Sequence, residues 1–352
     1  MKKCCKFSIS IVIAGLLLWN AFPGFAGNPD RSGQAGASEL LINPWARSTG
    51  WGGANTACTK GLESMQLNIA GLAFTQKTEL IFVHTKWLQG SGCNLNSFGF
   101  SQKVGQTGVI GLGVTSMTFG DIMITTPDLP EGGLGTFSPK LMNIGLSYAK
   151  TFSNSIYGGL CIRIINEAIS DVNAQGVALD AGIQYVTGET ENIHFGISLK
   201  NVGPRMKFKG DGFSFKGSVP GAANTMTIEQ RSAEYELPSL VNIGAAYDIK
   251  FNESYKMTVA GNFTSNSFTK DQYILGAQFN LKNYLLLHLG YVYEKGITKK
   301  ADRTSAMTGP CAGFSVEIPM NKEKGSSFSL DYSYRASNPF EGTHSIGVRI
   351  NL

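Results

Sequence analysis

The last ten residues, Thr343 to Leu352, constrain this chain of 352 residues more than any other stretch. Ile346, Val348, Ile350 and Leu352 share one face of an extended strand, and Ser345, Gly347, Arg349 and Asn351 share the other. Side chains alternate sides along a strand, so one face is apolar and the other polar. A soluble sheet can show this alternation. A chain that stops on the last apolar residue, behind a secretory signal, narrows the choice. The pattern predicts a strand that closes an outer-membrane β-barrel, with lipid on one face and a polar lumen on the other.

The signal is legible at the other end. Lys2, Lys3 and Lys6 precede an apolar run from Phe7 to Phe22, followed by Gly24-Phe25-Ala26. That order predicts an export signal over residues 1–26. The run is too short, and too broken by Ser8, Ser10 and Asn20, for a membrane span. Cys4 and Cys5 precede it, so neither is a lipoprotein cysteine. No later stretch is apolar for long enough to be a transmembrane helix. With 43 Gly, 16% charged residues and little helical periodicity, the remainder reads as all-β.

Fourteen strand candidates follow residue 78: 79–89, 94–104, 107–119, 141–152, 156–168, 176–187, 192–201, 239–251, 255–265, 271–281, 284–294, 310–319, 326–336 and 343–352. Most are long enough to cross a bilayer at a tilt, and longer than ordinary soluble strands. In one, Leu285, Leu287, Leu289, Tyr291 and Tyr293 share a face; in another, Phe328, Leu330, Tyr332 and Tyr334 oppose Ser327, Ser329, Asp331, Ser333 and Arg335. Tyrosines at strand ends suit the interfacial girdle of such barrels. The connections alternate too. Those expected at 120–140, 169–175, 202–238 and 295–309 are long, and those between them are short, such as Gly105-Gln106 and Lys282-Asn283. Short periplasmic turns facing longer extracellular loops are what a bacterial barrel shows.

The expected organisation is therefore a signal over 1–26, a plug over 27–78 and an antiparallel transmembrane barrel over 79–352. A barrel of fourteen strands encloses a lumen. Residues 27–78 have few strand signals but contain Trp45, Trp51, Leu62, Met65, Leu67 and Leu72, too apolar for a disordered tail.

No enzyme signature appears. Gly145-Leu146-Ser147, Gly196-Ile197-Ser198 and Gly313-Phe314-Ser315 begin like a nucleophile elbow, but none continues to the second glycine, and each lies within a strand. His84, His194, His288 and His344 are too scattered to predict a metal site, and no cofactor motif is present. Cys58, Cys93, Cys161 and Cys311 lack C-x-x-C spacing; export permits disulfides, but the sequence assigns no pairs. A net charge of +5 without basic runs interleaved with aromatics gives no sign of nucleic-acid binding. The long loop at 202–238 carries Phe208, Phe213 and Phe215 among Lys207, Lys209 and Lys216. These phenylalanines are candidates for partner binding, the other reading being a loop folded over its own barrel mouth.

Residues 44–54, Pro-Trp-Ala-Arg-Ser-Thr-Gly-Trp-Gly-Gly-Ala, resemble the start of PorV/PorQ-like outer-membrane proteins. So do Gly61-Leu62-Glu63-Ser64 and Asn68-Ile69-Ala70-Gly71-Leu72, although Ile69 stands where that family has proline. His84-Thr85-Lys86-Trp87-Leu88 resembles the family's first strand, and Leu330 to Arg335 with Gly342-Thr343-His344 its closing strands. The resemblance implies a FadL-like barrel with a plug that includes Arg47, Trp51, Gly52, Gly53 and Asn68. It also implies a role in type IX protein secretion, with the translocon, attachment-complex subunits and cargo bearing a C-terminal signal domain as partners besides outer-membrane lipid. The wider superfamily implies a rival role, transport of hydrophobic small molecules. A transporter is expected to have an apolar pocket between plug and wall with a lateral gap. A secretion subunit is expected to have a blocked lumen and exposed apolar loop residues.

Overall fold

Alternating side chains and tight turns build a closed antiparallel barrel of fourteen strands. In chain order these are β1 (Thr78–Trp87), β2 (Cys93–Val104), β3 (Gly108–Thr118), β4 (Lys140–Thr151), β5 (Ile156–Ile169), β6 (Val172–Thr187), β7 (Ile193–Val202), β8 (Leu240–Lys250), β9 (Tyr255–Asn266), β10 (Gln272–Leu281), β11 (Leu285–Glu294), β12 (Met307–Asn321), β13 (Ser326–Ser337) and β14 (Thr343–Asn351). The computed structural model describes residues 27–218, 221, 224–321 and 325–352, so the expected signal at 1–26 lies outside the described residues. Each strand pairs with the next, and β14 pairs back onto β1, with Glu79 opposite Asn351 and Lys86 opposite His344. Closure leaves no unpaired edge in lipid, which is the condition for strands to span a bilayer.

Facing follows the period of two. Leu146, Leu160, Ile183, Ile197, Leu275, Leu289 and Ile346 point outward and form an apolar band. Ser147, Asp180, Gln184, Ser198, Asp331 and Arg349 point inward and are buried. Tyr148, Tyr185, Tyr247, Tyr273 and Tyr293 sit outward near strand ends. The closed barrel and its apolar belt place the chain in the outer membrane. Leu275, 69% exposed, is the most open of the large apolar side chains among the described residues. Leu275→Arg is expected to cost about 2–4 kcal/mol if the site lies near the bilayer midplane. Equilibrium urea unfolding in lipid vesicles checks this; an unchanged midpoint would place Leu275 off the lipid face.

Turn chemistry sets the two ends apart. Lys282 and Asn283, at φ of 55° and 58°, form a left-handed pair in the three-residue connection from β10 to β11, and the Tyr284 N–H closes that turn on the Leu281 carbonyl at 3.0 Å. The opposite end carries larger connections. One holds a hairpin of Ile122–Met123 and Thr136–Phe137; another pairs Met206–Lys207 with Glu234–Tyr235 and Ser214–Gly217 with Met226–Glu229. The connection expected at 169–175 is instead a tight turn, because Ile169 pairs with Val172 and the ladder of β5 and β6 continues above the membrane. Polar Asn173 and Gln175 alternate there with Val172 and Ala174, which in sequence hides the strand among loop residues.

The N-terminal segment fills the lumen with short helical turns, chiefly Ser38–Leu41, Ala46–Gly50, Ala54–Ala57, Gly61–Glu63, Ser64–Leu67 and Ile69–Phe74. None is long enough to be stable alone. The wall holds them. Trp45, Leu62, Met65 and Leu72 pack against inward Ile81 and Val109, while Trp51, Ala54 and Ala57 pack against Ile274 and Val292. The carbonyls that end the Ser64–Leu67 turn also find partners. Arg163 donates to the Met65 oxygen at 3.2 Å, Ser198 to that of Leu67 at 2.7 Å, and the Lys200 ammonium to that of Gln66. Unsatisfied carbonyls at a helical end prefer cationic donors, and two of these three are cations.

Candidate functional site

Above the plug, toward the long-loop end, a cavity of about 670 Å³ lies between plug and wall. Leu41, Ile42 and Leu67 of the plug form part of its floor, and Gly52 and Gly53, both in the left-handed region, bend the chain beside it. Trp87, Met117 and Leu141 line it from β1, β3 and β4, and Ile297 and Phe340 from the loops. Across the barrel, β8 and β9 contribute Asn242, Asn262 and Thr264, tied together by hydrogen bonds of 2.7 to 3.3 Å. The vestibule is therefore two-faced, with a long apolar wall opposite an amide-rich polar one, and Glu39, Lys200, Glu294 and Arg335 also line it.

The hydrogen-bonded ladder of the wall beside this cavity ends early, although Gly309 of β12 stays beside the Val292 carbonyl of β11. The ladder between β11 and β12 stops at Tyr291 and Pro310, so Val292 to Glu294 have no pairing on that side. Pro310 lacks an N–H to donate, and Gly309 at φ +110° breaks the register of β12 against β13. Val292, Glu294 and Met307 border both the end of this ladder and the cavity.

Toward the short-turn end the chemistry changes. A space of about 210 Å³ is lined by Lys60, Glu63, His194, Asp248, Lys256 and Arg349 among others. Asp248 accepts from Lys256 at 2.6 Å and from Thr258 at 2.6 Å, and lies 3.1 Å from His194. Burial and neighbouring Lys256 lower the Lys60 ammonium. Burial pushes the Cys58 thiol up to about 12, far from a reactive thiolate. The four cysteines at 58, 93, 161 and 311 are free.

Charged groups join plug to wall between these spaces. Arg47 meets Asp331 at 3.1 Å and Glu317 at 3.7 Å. Burial lowers this guanidinium, but Asp331 and Glu317 more than offset that and hold it charged. Arg349 of β14 pairs with Glu63 of the plug, with Glu79 of β1 at 3.0 Å and with Asp331 of β13 at 3.4 Å. The Glu63 carboxylate also accepts from the Ser48 hydroxyl.

Of the plug residues singled out in the sequence, Arg47 joins this network, Gly52 and Gly53 border the vestibule, and Asn68 sits against β6. Trp51 stacks on His288 at 5.8 Å between centroids. Asn68 accepts from the Ala70 N–H at 3.2 Å and donates to the Ile183 carbonyl at 3.0 Å, capping the Ile69–Phe74 turn without the family's proline. The loop phenylalanines are not gathered into one patch. Phe208 packs on Tyr235, 5.8 Å between centroids, against Leu40 and Met206 at the barrel mouth. Phe213 is half-buried, and Phe215, on the hairpin, is 51% exposed. Sequence reasoning missed the Asn242, Asn262 and Thr264 group; its only signal there is the polar phase of two strands.

No protein-family description and no curated protein matches the chain. Solved structures do. The CymD monoaromatic hydrocarbon channel is similar at 14% identity and a TM-score of 0.53, over 88% of this chain and 97% of that one. The toluene transporter TbuX of Ralstonia pickettii is similar at 11% identity and 0.52, over 88% and 97%. The toluene transporter TodX of Pseudomonas putida is similar at 11% and 0.53, over 88% and 97%. At such identities the likeness shows the fold alone, here a closed fourteen-strand barrel with the N-terminal segment inside it.

Proposed function

We propose that the chain is an outer-membrane channel that admits hydrophobic small molecules. The observation that carries this reading is the apolar vestibule above the plug, of a size typical for small-ligand sites. Its floor keeps water and ions from a straight path through the lumen. The early end of the ladder between β11 and β12 is where a bound apolar molecule would pass into the bilayer, avoiding the charged lower half of the lumen. The structurally similar channels whose names carry monoaromatic hydrocarbons and toluene support the same reading.

Titration of the purified protein with a monoaromatic hydrocarbon, followed by Trp fluorescence that includes Trp87 of the vestibule, is expected to saturate. Met117→Arg, which puts a charge into the apolar wall, is expected to weaken binding about tenfold, the effect of roughly 1.4 kcal/mol. Cells with and without the protein are expected to differ in uptake of the same compound. Non-saturable signals together with equal uptake would end this reading.

A second reading, a subunit of type IX secretion, draws on other features. The plug crosses the lumen, and the two long-loop hairpins expose Ile122, Met123, Phe215 and Met226. Replacing these four side chains by Ser leaves the vestibule intact. Loss of co-purifying translocon or cargo with unchanged hydrocarbon uptake would favour the secretion role.

A further inference from the structure

At the long-loop end of β14, β1 and β2 the outward face stops being apolar. Along β1, Phe82 is outward and exposed, and the next outward positions toward the loop are His84 and Lys86. Along β2, Phe98 is outward, and Asn96 and Asn94 follow it toward the loop. On β14, His344 stands above outward Ile346. These residues are neighbours. Lys86 lies opposite His344 on one side and Asn94 on the other, and His84 lies opposite Asn96. At the same end of β10 and β11 the outward residues are instead Tyr273, Tyr291 and Tyr293, the usual interfacial girdle.

The cluster has donors to spare. The exposed Lys86 ammonium makes no ion pair or hydrogen bond among the described residues. His84 Nδ1 donates to Asn96 Oδ1 at 2.8 Å, because an amide oxygen can only accept. That bond holds Asn96 by its oxygen, and its Nδ2 has no partner among the described residues. The Tyr332 hydroxyl and His344 Nδ1 share a hydrogen bond of 2.9 Å. If the hydroxyl donates, the neutral ring carries its proton on Nε2; if the ring donates, the hydroxyl keeps its own hydrogen free. Either way the pair retains one donor. Facing and diagonal neighbours across strands lie about 5–8 Å apart, so these donors can converge on one group. No outward side chain of β13, β14, β1 or β2 is acidic. The carboxylate of the adjoining loop, Glu341, accepts from Gln89 at 3.2 Å.

Spare donors around a cation match an anion, and a phosphate has enough acceptor oxygens for all of them. The surroundings indicate what carries it. Two residues along a strand span about 7 Å, so a phosphate held at Lys86 and Asn96 has its attached chains beside Phe82, Phe98 and Ile346. Those side chains belong to the lipid belt that the barrel already presents, and a soluble anion gains nothing from them. We propose that Lys86, Asn96 and the Tyr332–His344 pair hold the phosphate of an outer-leaflet lipid against the seam where β14 closes on β1. The proposal stands whether the vestibule carries hydrocarbons or not.

The test uses the whole barrel reconstituted in vesicles of a zwitterionic lipid, doped with phosphorylated lipid A or with its dephosphorylated form. Native mass spectrometry after release into detergent is expected to find the phosphorylated lipid on the chain and not the dephosphorylated one. Lys86→Gln is expected to weaken retention about tenfold, the scale of one charge-assisted hydrogen bond, with heat-modifiable mobility on gels unchanged. Lys250→Gln, at an exposed lysine of the short-turn end, is the control and is expected to retain the lipid as wild type does. Asn96→Leu reads the same loss if the Lys86 variant fails to assemble. Equal retention of both lipids, or normal retention by Lys86→Gln and Asn96→Leu, would overturn the proposal. Displacement of the lipid by millimolar inorganic phosphate would assign the cluster to a free anion. A lipid-free dimer that Lys86→Gln abolishes would assign it to a second copy of the chain. Either result would overturn the proposal equally.

Discussion

Replacing Arg349 by alanine is expected to lower the stability of the plugged barrel by about 3–5 kcal/mol, the cost of breaking a buried pair from one side. This guanidinium is 5% exposed and touches Glu63, Glu79 and Asp331. Its removal leaves the carboxylates of Glu63 and Glu79 without their guanidinium, while Asp331 keeps Arg47 at 3.1 Å. The loss therefore falls on the joint between plug and the seam of β14 with β1. Arg349→Lys keeps the charge but loses the planar fork, so it is expected to fall between wild type and alanine. The measurement is urea unfolding in vesicles, with limited proteolysis of the plug as a second readout. A triple variant with Glu63→Gln and Glu79→Gln added to Arg349→Ala is expected to recover part of the loss, because no uncompensated charge remains. Equal stability of wild type and Arg349→Ala would mean that the plug is held by packing alone.

The barrel itself was legible because its code is local. Strands from Leu285, Phe328 and Thr343 alternate so regularly that the lipid face follows from parity. The ladder of β5 and β6 runs past the expected strand with polar Asn173 and Gln175 on the outer face and Ala174 inside, so the apolar outward phase that marks the other strands is missing there. The plug was legible as apolar and glycine-rich, but not where it sits. Contacts such as Arg349 with Glu63 or Ser198 with Leu67 join residues separated by much of the chain, and no spacing encodes them. His288 illustrates the limit. Parity places it correctly on the lumen side, and the lumen suggests a site that accepts charge. The structure instead encloses it between Trp51 and Ser315, so a polar phase does not mean a wet one. The loop phenylalanines illustrate another limit. Phe208 and Phe215 are seven residues apart in one loop of similar composition, yet one is packed at the mouth and the other exposed.

Gly290→Val is expected to unseat the plug while leaving the barrel closed. Inward-facing glycines lie opposite one another across neighbouring strands: Gly99 and Gly113 on β2 and β3, Gly196 and Gly244 on β7 and β8, Gly276 and Gly290 on β10 and β11. The plug backbone rests directly on two of these pairs. A Cβ on Gly290 would lie 2.2 Å from the Trp51 carbonyl group, and one on Gly196 would lie 2.8 Å from the Ala57 Cα. Backbone cannot yield to such contacts as a flexible side chain can, so the strain exceeds the usual 1–3 kcal/mol of an overpacked core, estimated at roughly that size where side chains can shift. The plug segment around Trp51 must leave its seat, and with it go the floor of the vestibule and the stacking on His288. Gly261→Val is the control. Its Cβ would meet an outward Leu275 methyl at 3.4 Å and the Ile274 carbonyl oxygen at 3.9 Å, both ordinary contacts, and valine favours a strand. Single-channel recording in planar bilayers separates the two. Wild type and Gly261→Val are expected to remain closed to small ions, whereas Gly290→Val is expected to conduct. Both variants are expected to keep heat-modifiable mobility, since the pairing of β10 with β11 does not need the glycine's freedom. A closed, stable Gly290→Val barrel would mean that the plug can shift within the lumen, and the vestibule would then be a mobile space whose floor is not fixed by the wall.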